Sequence, residues 1–72
     1  MRKLIILLIR LRHKLKENEP FRFSNQKSKC DFYYFTTDEL KKVCFTGNNA
    51  TTVKANVSLN WLLNDECKIV KN

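Results

Sequence analysis

At 72 residues and 43% hydrophobic content, the chain is long enough for one domain and too apolar for general disorder. A domain of this size buries only about 60% of its unfolded surface, which leaves room for one small core. The formal charge of +7 and the pI near 9.6 suit nucleic acid, an anionic membrane surface or an acidic protein, without choosing among them.

The first element is an amphipathic helix over Met1–Lys16. Leu4, Leu8, Leu11 and Leu15 recur at i, i+4, i+7 and i+11, one face of a helix, and predict the side turned to the core. Ile5, Ile6, Leu7 and Ile9 widen the apolar surface at the N-terminal end, so that end is expected to be buried on most sides. Arg10, Arg12, His13, Lys14 and Lys16 take the remaining surface toward the C-terminal end, where cations suit the helix dipole, and Pro20 stops the helix. The run resembles a signal peptide but has only six apolar residues in sequence, Leu4–Ile9, and no small-residue cleavage site after them. A spanning helix needs about 20 apolar residues, so no integral membrane association is expected. A helix lying on a membrane surface is the functional alternative to a core helix.

Phe21-Arg22-Phe23-Ser24 alternates and Asp31–Thr36 is a dense aromatic run, and both suit strands of one hairpin. Phe32 and Tyr34 then share one face, Tyr33 and Phe35 the other. These aromatics lie in sequence beside Arg22, Lys27 and Lys29 and could stack single-stranded bases; the structural alternative is that they fill the core.

Thr36-x-x-Glu39 has the form of a capping box and predicts a helix start, with Leu40, Val43 and Cys44 following at helical spacing. Gly47 sits where a left-handed residue ends a helix, and Asn48, Asn49 and Thr51 offer caps for a second helix running to about Asn64. On that helix Ala55, Leu59, Leu62 and Leu63 form one apolar stripe, and Val53, Val57 and Trp61 form another almost opposite. Lys68–Val70 can pair as a closing strand.

TTDELKKVC followed by TTVKANVSLNWLLNDECKIVKN resembles the core of a winged helix-turn-helix domain over the C-terminal half. The resemblance implies Ala55, Leu59 and Leu62 at the inward positions of a recognition helix, and a DNA-binding module. The family's glycine at the wing is absent, Glu66-Cys67 standing in place of its Gly-apolar pair, and no second wing strand follows before Asn72. Eight Asn and ten Lys against one Gly and one Pro also resemble the composition of small early proteins of bacteriophages and other viruses.

No constellation for catalysis is present: Asp38-Glu39 and Asp65-Glu66 are adjacent pairs, which do not face each other on a helix, and one glycine cannot make a phosphate loop. Cys30, Cys44 and Cys67 are widely spaced, with no C-x-x-C and no Cys near the lone His13 in sequence, so no metal or cofactor is expected. The thiols read as reduced, in the cytoplasm, or the host cytoplasm for a viral protein.

The sequence thus predicts a single α+β domain over residues 1–72, winged-helix-like, in the order helix-hairpin-helix-helix-strand, its terminal strand joining the aromatic strand. The expected function is a small basic DNA-binding transcriptional regulator that binds duplex DNA as a homodimer and is not an enzyme. Asn56 and Asn60 are base-edge candidates. Lys41, Lys42, Thr51, Thr52, Lys54, Lys68 and Lys71 are phosphate candidates. The alternative is a protein-interaction module that inhibits or redirects a host protein through a patch of Val53, Val57 and Trp61.

Overall fold

A computed structural model describes residues 2–27 and 30–71, in the order α1 (Arg2–His13), β1 (Phe21–Phe23), β2 (Phe32–Phe35), β3 (Leu40–Thr46), β4 (Asn49–Lys54), α2 (Leu59–Leu62) and β5 (Ile69–Lys71). The strands form one antiparallel sheet in the spatial order β4-β3-β2-β1-β5. The class is α+β, but a five-stranded sheet replaces the expected helix-hairpin-helix-helix-strand order, and the winged-helix reading falls with it.

The overturned element is the helix pair. Thr36–Glu39 closes a hairpin between β2 and β3 instead of opening a helix. The expected bond from the Glu39 N–H to Thr36 Oγ1 is present at 3.2 Å, but the Thr36 N–H donates to the Glu39 carbonyl at 2.8 Å, and the Glu39 carboxylate turns to Lys41. Gly47 has φ +61° and, with Asn48, makes the two-residue loop between Thr46 and Asn49, which are paired across β3 and β4. Asn48 does not share the positive φ, so the loop has the form of a type II′ turn, with Gly at its first central position. The same glycine would have suited a helix end; the β-branched run Thr51-Thr52-Val53 on one side and Val43-Cys44-Phe45-Thr46 on the other decides for strands.

Of the expected helix over 51–64, only Leu59–Leu62 is helical, and Asn49–Lys54 is strand. Its two apolar stripes therefore belong to three different segments. Ala55, Val57, Leu59 and Trp61 all pack against one core, while Val53 of the second stripe stays exposed on β4. The hairpin of β1 and β2 is present as expected, in the register Phe21↔Tyr33. The closing strand is also present, but it pairs with β1, through Arg22↔Val70 and Phe23↔Ile69, not with the aromatic strand β2.

α1 ends at His13 rather than running to Lys16. Lys14 takes φ 57°; its N–H donates to the Leu11 carbonyl at 3.3 Å, and the Leu15 N–H donates to the Arg10 carbonyl at 2.8 Å. This pair of bonds is the Schellman motif, with Lys where glycine is usual and the apolar Leu15 buried just beyond it. The buried side of α1 is Ile6 and Ile9; Leu4, Leu8 and Leu11, expected inside, are exposed, and only Leu15 of that row is in the core. Both arcs of the helix are apolar, so spacing alone could not select between them. The inner arc joins Phe21, Phe23, Phe35, Leu40, Leu62 and Cys67 in one cluster.

Candidate nucleic-acid interface

Residues paired across neighbouring strands lie on the same face of a sheet, and successive residues alternate. The register therefore sorts the strands into an inner face and an outer face. The inner face carries Phe21, Phe23, Tyr33, Phe35, Leu40, Lys42, Cys44, Thr51 and Val53, the outer face Arg22, Phe32, Tyr34, Lys41, Val43, Phe45, Thr52 and Lys54. The core cluster around Ile6 and Ile9 draws only on inner-face strand residues. The expected split of Phe32 and Tyr34 from Tyr33 and Phe35 thus holds: Phe35 fills the core, and Phe32 and Tyr34 do not.

The outer face is built of cross-strand rows. One row runs Tyr34–Lys41–Lys54 across β2, β3 and β4, and the next runs Phe32–Val43–Thr52. Phe45 follows beyond Val43, its ring centroid 5.9 Å from that of Phe32 and its side chain 45% exposed. Val43, directly across from Phe32 and two residues before Phe45 on the same face, is buried but lies outside the main core cluster. Lys41 and Lys54 stand directly opposite each other, an arrangement that costs a sheet stability through like-charge repulsion. Glu39, two residues before Lys41 on the same face, brings a carboxylate to 2.9 Å from the Lys41 ammonium. The hydrogen bond from Lys41 holds the Glu39 carboxyl below the usual carboxylate range against the opposing effect of desolvation, and the charges of Lys41, Lys54 and Arg2 add to the lowering.

The structure divides the expected phosphate ligands. Lys41, Thr52 and Lys54 come together on the outer face, while Lys42 and Thr51 point to the other side. Lys42 stands 3.8 Å from Asp31 and 5.9 Å from the Tyr33 ring centroid. Lys71 turns to the Lys14 carbonyl and to Glu19, 3.8 Å away, and Lys68 is exposed just before β5. Asn56 and Asn60, the expected base readers, are exposed on the link after β4 and on α2, with no long helix to carry them into a groove. Of the expected protein patch, Val53 is 43% exposed on β4, whereas Val57 and Trp61 are half-buried against the core. Lys29, grouped with the aromatics in the sequence, lies outside the described residues, and Lys27 is exposed in the loop after β1.

Phe45 is the functional candidate that the helical reading hid. Its signal was present in the dipeptide Gly47-Asn48 between two runs rich in β-branched and aromatic residues, which is a hairpin loop and places Phe45 on the same face as Val43. Among the described residues, no three His, Cys, Asp or Glu side chains gather as metal ligands would. Compared with known protein families, curated proteins and solved structures, the chain matches none.

Proposed function

We propose that this chain is a nucleic-acid-binding module that lays a single strand across the outer face of its sheet. Bases stack on Phe45, Tyr34 and Phe32, and phosphates sit on Lys41 and Lys54. The observation that carries this reading is the facing lysine pair beside three aromatic rings on the sheet face turned away from the core. Facing lysines oppose folding, and an anionic backbone laid between them removes that repulsion. Seven net positive charges supply the long-range attraction. The expected regulator of DNA keeps its polyanionic partner but changes its mode. Duplex reading by a helix needs an element that fills a major groove, and the four residues of α2 span only about 6 Å. A regulatory role is then exercised on single-stranded DNA or RNA.

Fluorescence anisotropy with a labelled oligothymidylate of about 20 nucleotides and its duplex tests this. The single strand is expected to bind more tightly. Phe45→Ala should cost about 1–3 kcal/mol, the worth of one stacked base. Lys41→Gln with Lys54→Gln should flatten the dependence of log K on log salt by about 0.7 for each phosphate left without its cation. Glu39→Gln should tighten binding, because the carboxylate competes with phosphate for Lys41. Equal or tighter duplex binding, together with a silent Phe45→Ala, would overturn the proposal. In that event the protein-partner reading takes over, through β4: this strand lies at the sheet edge, with all six residues exposed, and offers a ladder to an incoming strand.

A further inference from the structure

We infer that the outer side of α1 docks on an anionic lipid surface. Leu4, Leu7, Leu8 and Leu11 are 59%, 43%, 51% and 66% exposed, four large apolar side chains on a helix whose other side is already committed to the core through Ile6 and Ile9. On a helical wheel the four leucines cover an arc of about 100°. Lys3 and Arg10 border it on one side and Arg12 on the other. A continuous apolar stripe on a small domain marks a surface that something covers, and the charges around it select what.

A second copy of the chain is a poor occupant. The first acidic residue is Glu17, so residues 2–16 carry Arg2, Lys3, Arg10, Arg12, Lys14 and Lys16 with no carboxylate among them. Two such helices laid together would set cations against cations along the margin of Lys3 and Arg10, whereas on the other margin Arg12 is already paired with Asp65 at 2.6 Å. An acidic phospholipid surface is complementary in both respects. The leucines enter the acyl boundary, and the flanking cations remain at the level of the phosphates and carboxylates of the head groups. The twelve residues of α1 span only about 18 Å, and no described helix is long and apolar enough to cross a membrane, so the helix lies in the interface.

The fold also makes this docking compatible with the nucleic-acid surface. α1 packs on the inner face of the sheet, and the aromatic-lysine rows occupy the outer face. A protein resting on lipid by the leucines keeps that outer face toward solution. The lipid inference itself rests on the helix alone and stands or falls separately from the single-strand reading.

Co-sedimentation with vesicles tests it, using phosphatidylcholine alone and phosphatidylcholine with roughly one third phosphatidylserine. Binding to the anionic vesicles is expected to be at least about tenfold tighter than to the neutral ones and to weaken as salt screens the head groups. Leu8→Glu with Leu11→Glu should reduce binding by at least about tenfold. Leu8→Ala with Leu11→Ala, which preserves helix propensity, should reduce it as well while leaving the circular dichroism unchanged. Phe45→Ala should leave vesicle binding as it was. Failure of the wild-type chain to sediment with anionic vesicles overturns the inference. So does a lipid-free dimer in analytical ultracentrifugation that Leu8→Ala with Leu11→Ala converts to monomer, since the stripe would then be a contact between copies.

Discussion

Single side chains set several of the turns, and each has a measurable consequence. Thr36 bonds through its hydroxyl and its N–H to Glu39 across the β2–β3 loop, so Thr36→Ala should lower stability by about 1 kcal/mol in chemical denaturation, as loss of one local side-chain bond does. Lys14 holds a left-handed conformation at φ 57° without glycine's freedom. Lys14→Gly should raise stability by about 0.5 kcal/mol, the relief of backbone strain being partly offset by the freer unfolded chain. The cysteines differ by burial: Cys30 is exposed, Cys44 intermediate and Cys67 buried. Burial pushes the Cys67 thiol up, only partly opposed by Arg12. A folded value above the unfolded one means that the protonated thiol's contribution is intact below the ordinary thiol range and is lost as pH rises through the folded value. Alkylation at neutral pH should therefore label Cys30 first, Cys44 more slowly and Cys67 only on unfolding, as peptide mapping by mass spectrometry would read.

At the scale of elements, the β3–β4 hairpin depends on its two-residue loop. A side chain at Gly47 would meet no atom within 4 Å, so the cost of Gly47→Ala comes from backbone conformation and not from a clash. That cost should be about 1 kcal/mol, visible as a lower thermal midpoint. At the other end of β3, where the β2–β3 turn meets the strand, the Glu39–Lys41 contact gives a pH dependence of definite sign. Glu39 titrates below its ordinary range in the fold, so its favourable contribution is present above that range and fades as pH falls through the lowered value. Glu39→Gln should make the acid limb of the thermal midpoint, below about pH 5, shallower than in the wild type. The strand character of this hairpin was legible in Gly47-Asn48 and in the β-branched residues around it. It was hidden because Leu40, Val43 and Cys44 also fit a helical period, and Thr36-x-x-Glu39 makes one of the same local bonds at a helix start as in a hairpin turn.

For the whole molecule, the decisive quantity is how few residues form the core. Phe21, Phe35, Ile6, Ile9 and Leu62 are its largest fully buried side chains. Trp61 packs against this cluster from α2, while His13 of α1 lies 2.8 Å from the Leu62 carbonyl and ties the two helices together. Trp61→Asp should therefore lower the stability of the fold by an amount typical of a charge placed against a core, ~2 kcal/mol or more. Sedimentation velocity distinguishes this from an interface role, in which the variant would remain stable and only its mass would change.

The sequence by itself determined a strongly basic charge, an N-terminal helix, an aromatic hairpin and a closing strand. These follow from charge, apolar content and local periodicity, which do not require distant contacts. Only the tertiary structure decided which side of α1 is inside, that residues 40–54 pair as strands, and that Phe45, Lys41 and Lys54 share a face. The physical reason is the same in each case. Leu4–Leu11 and Ile6–Ile9 are both acceptable apolar faces, and 40–54 satisfies two local periods. Pairing β3 with β2 and closing β5 on β1 builds a sheet whose inner face accepts the isoleucines, and that burial, summed over residues far apart in the chain, outweighs the local preferences.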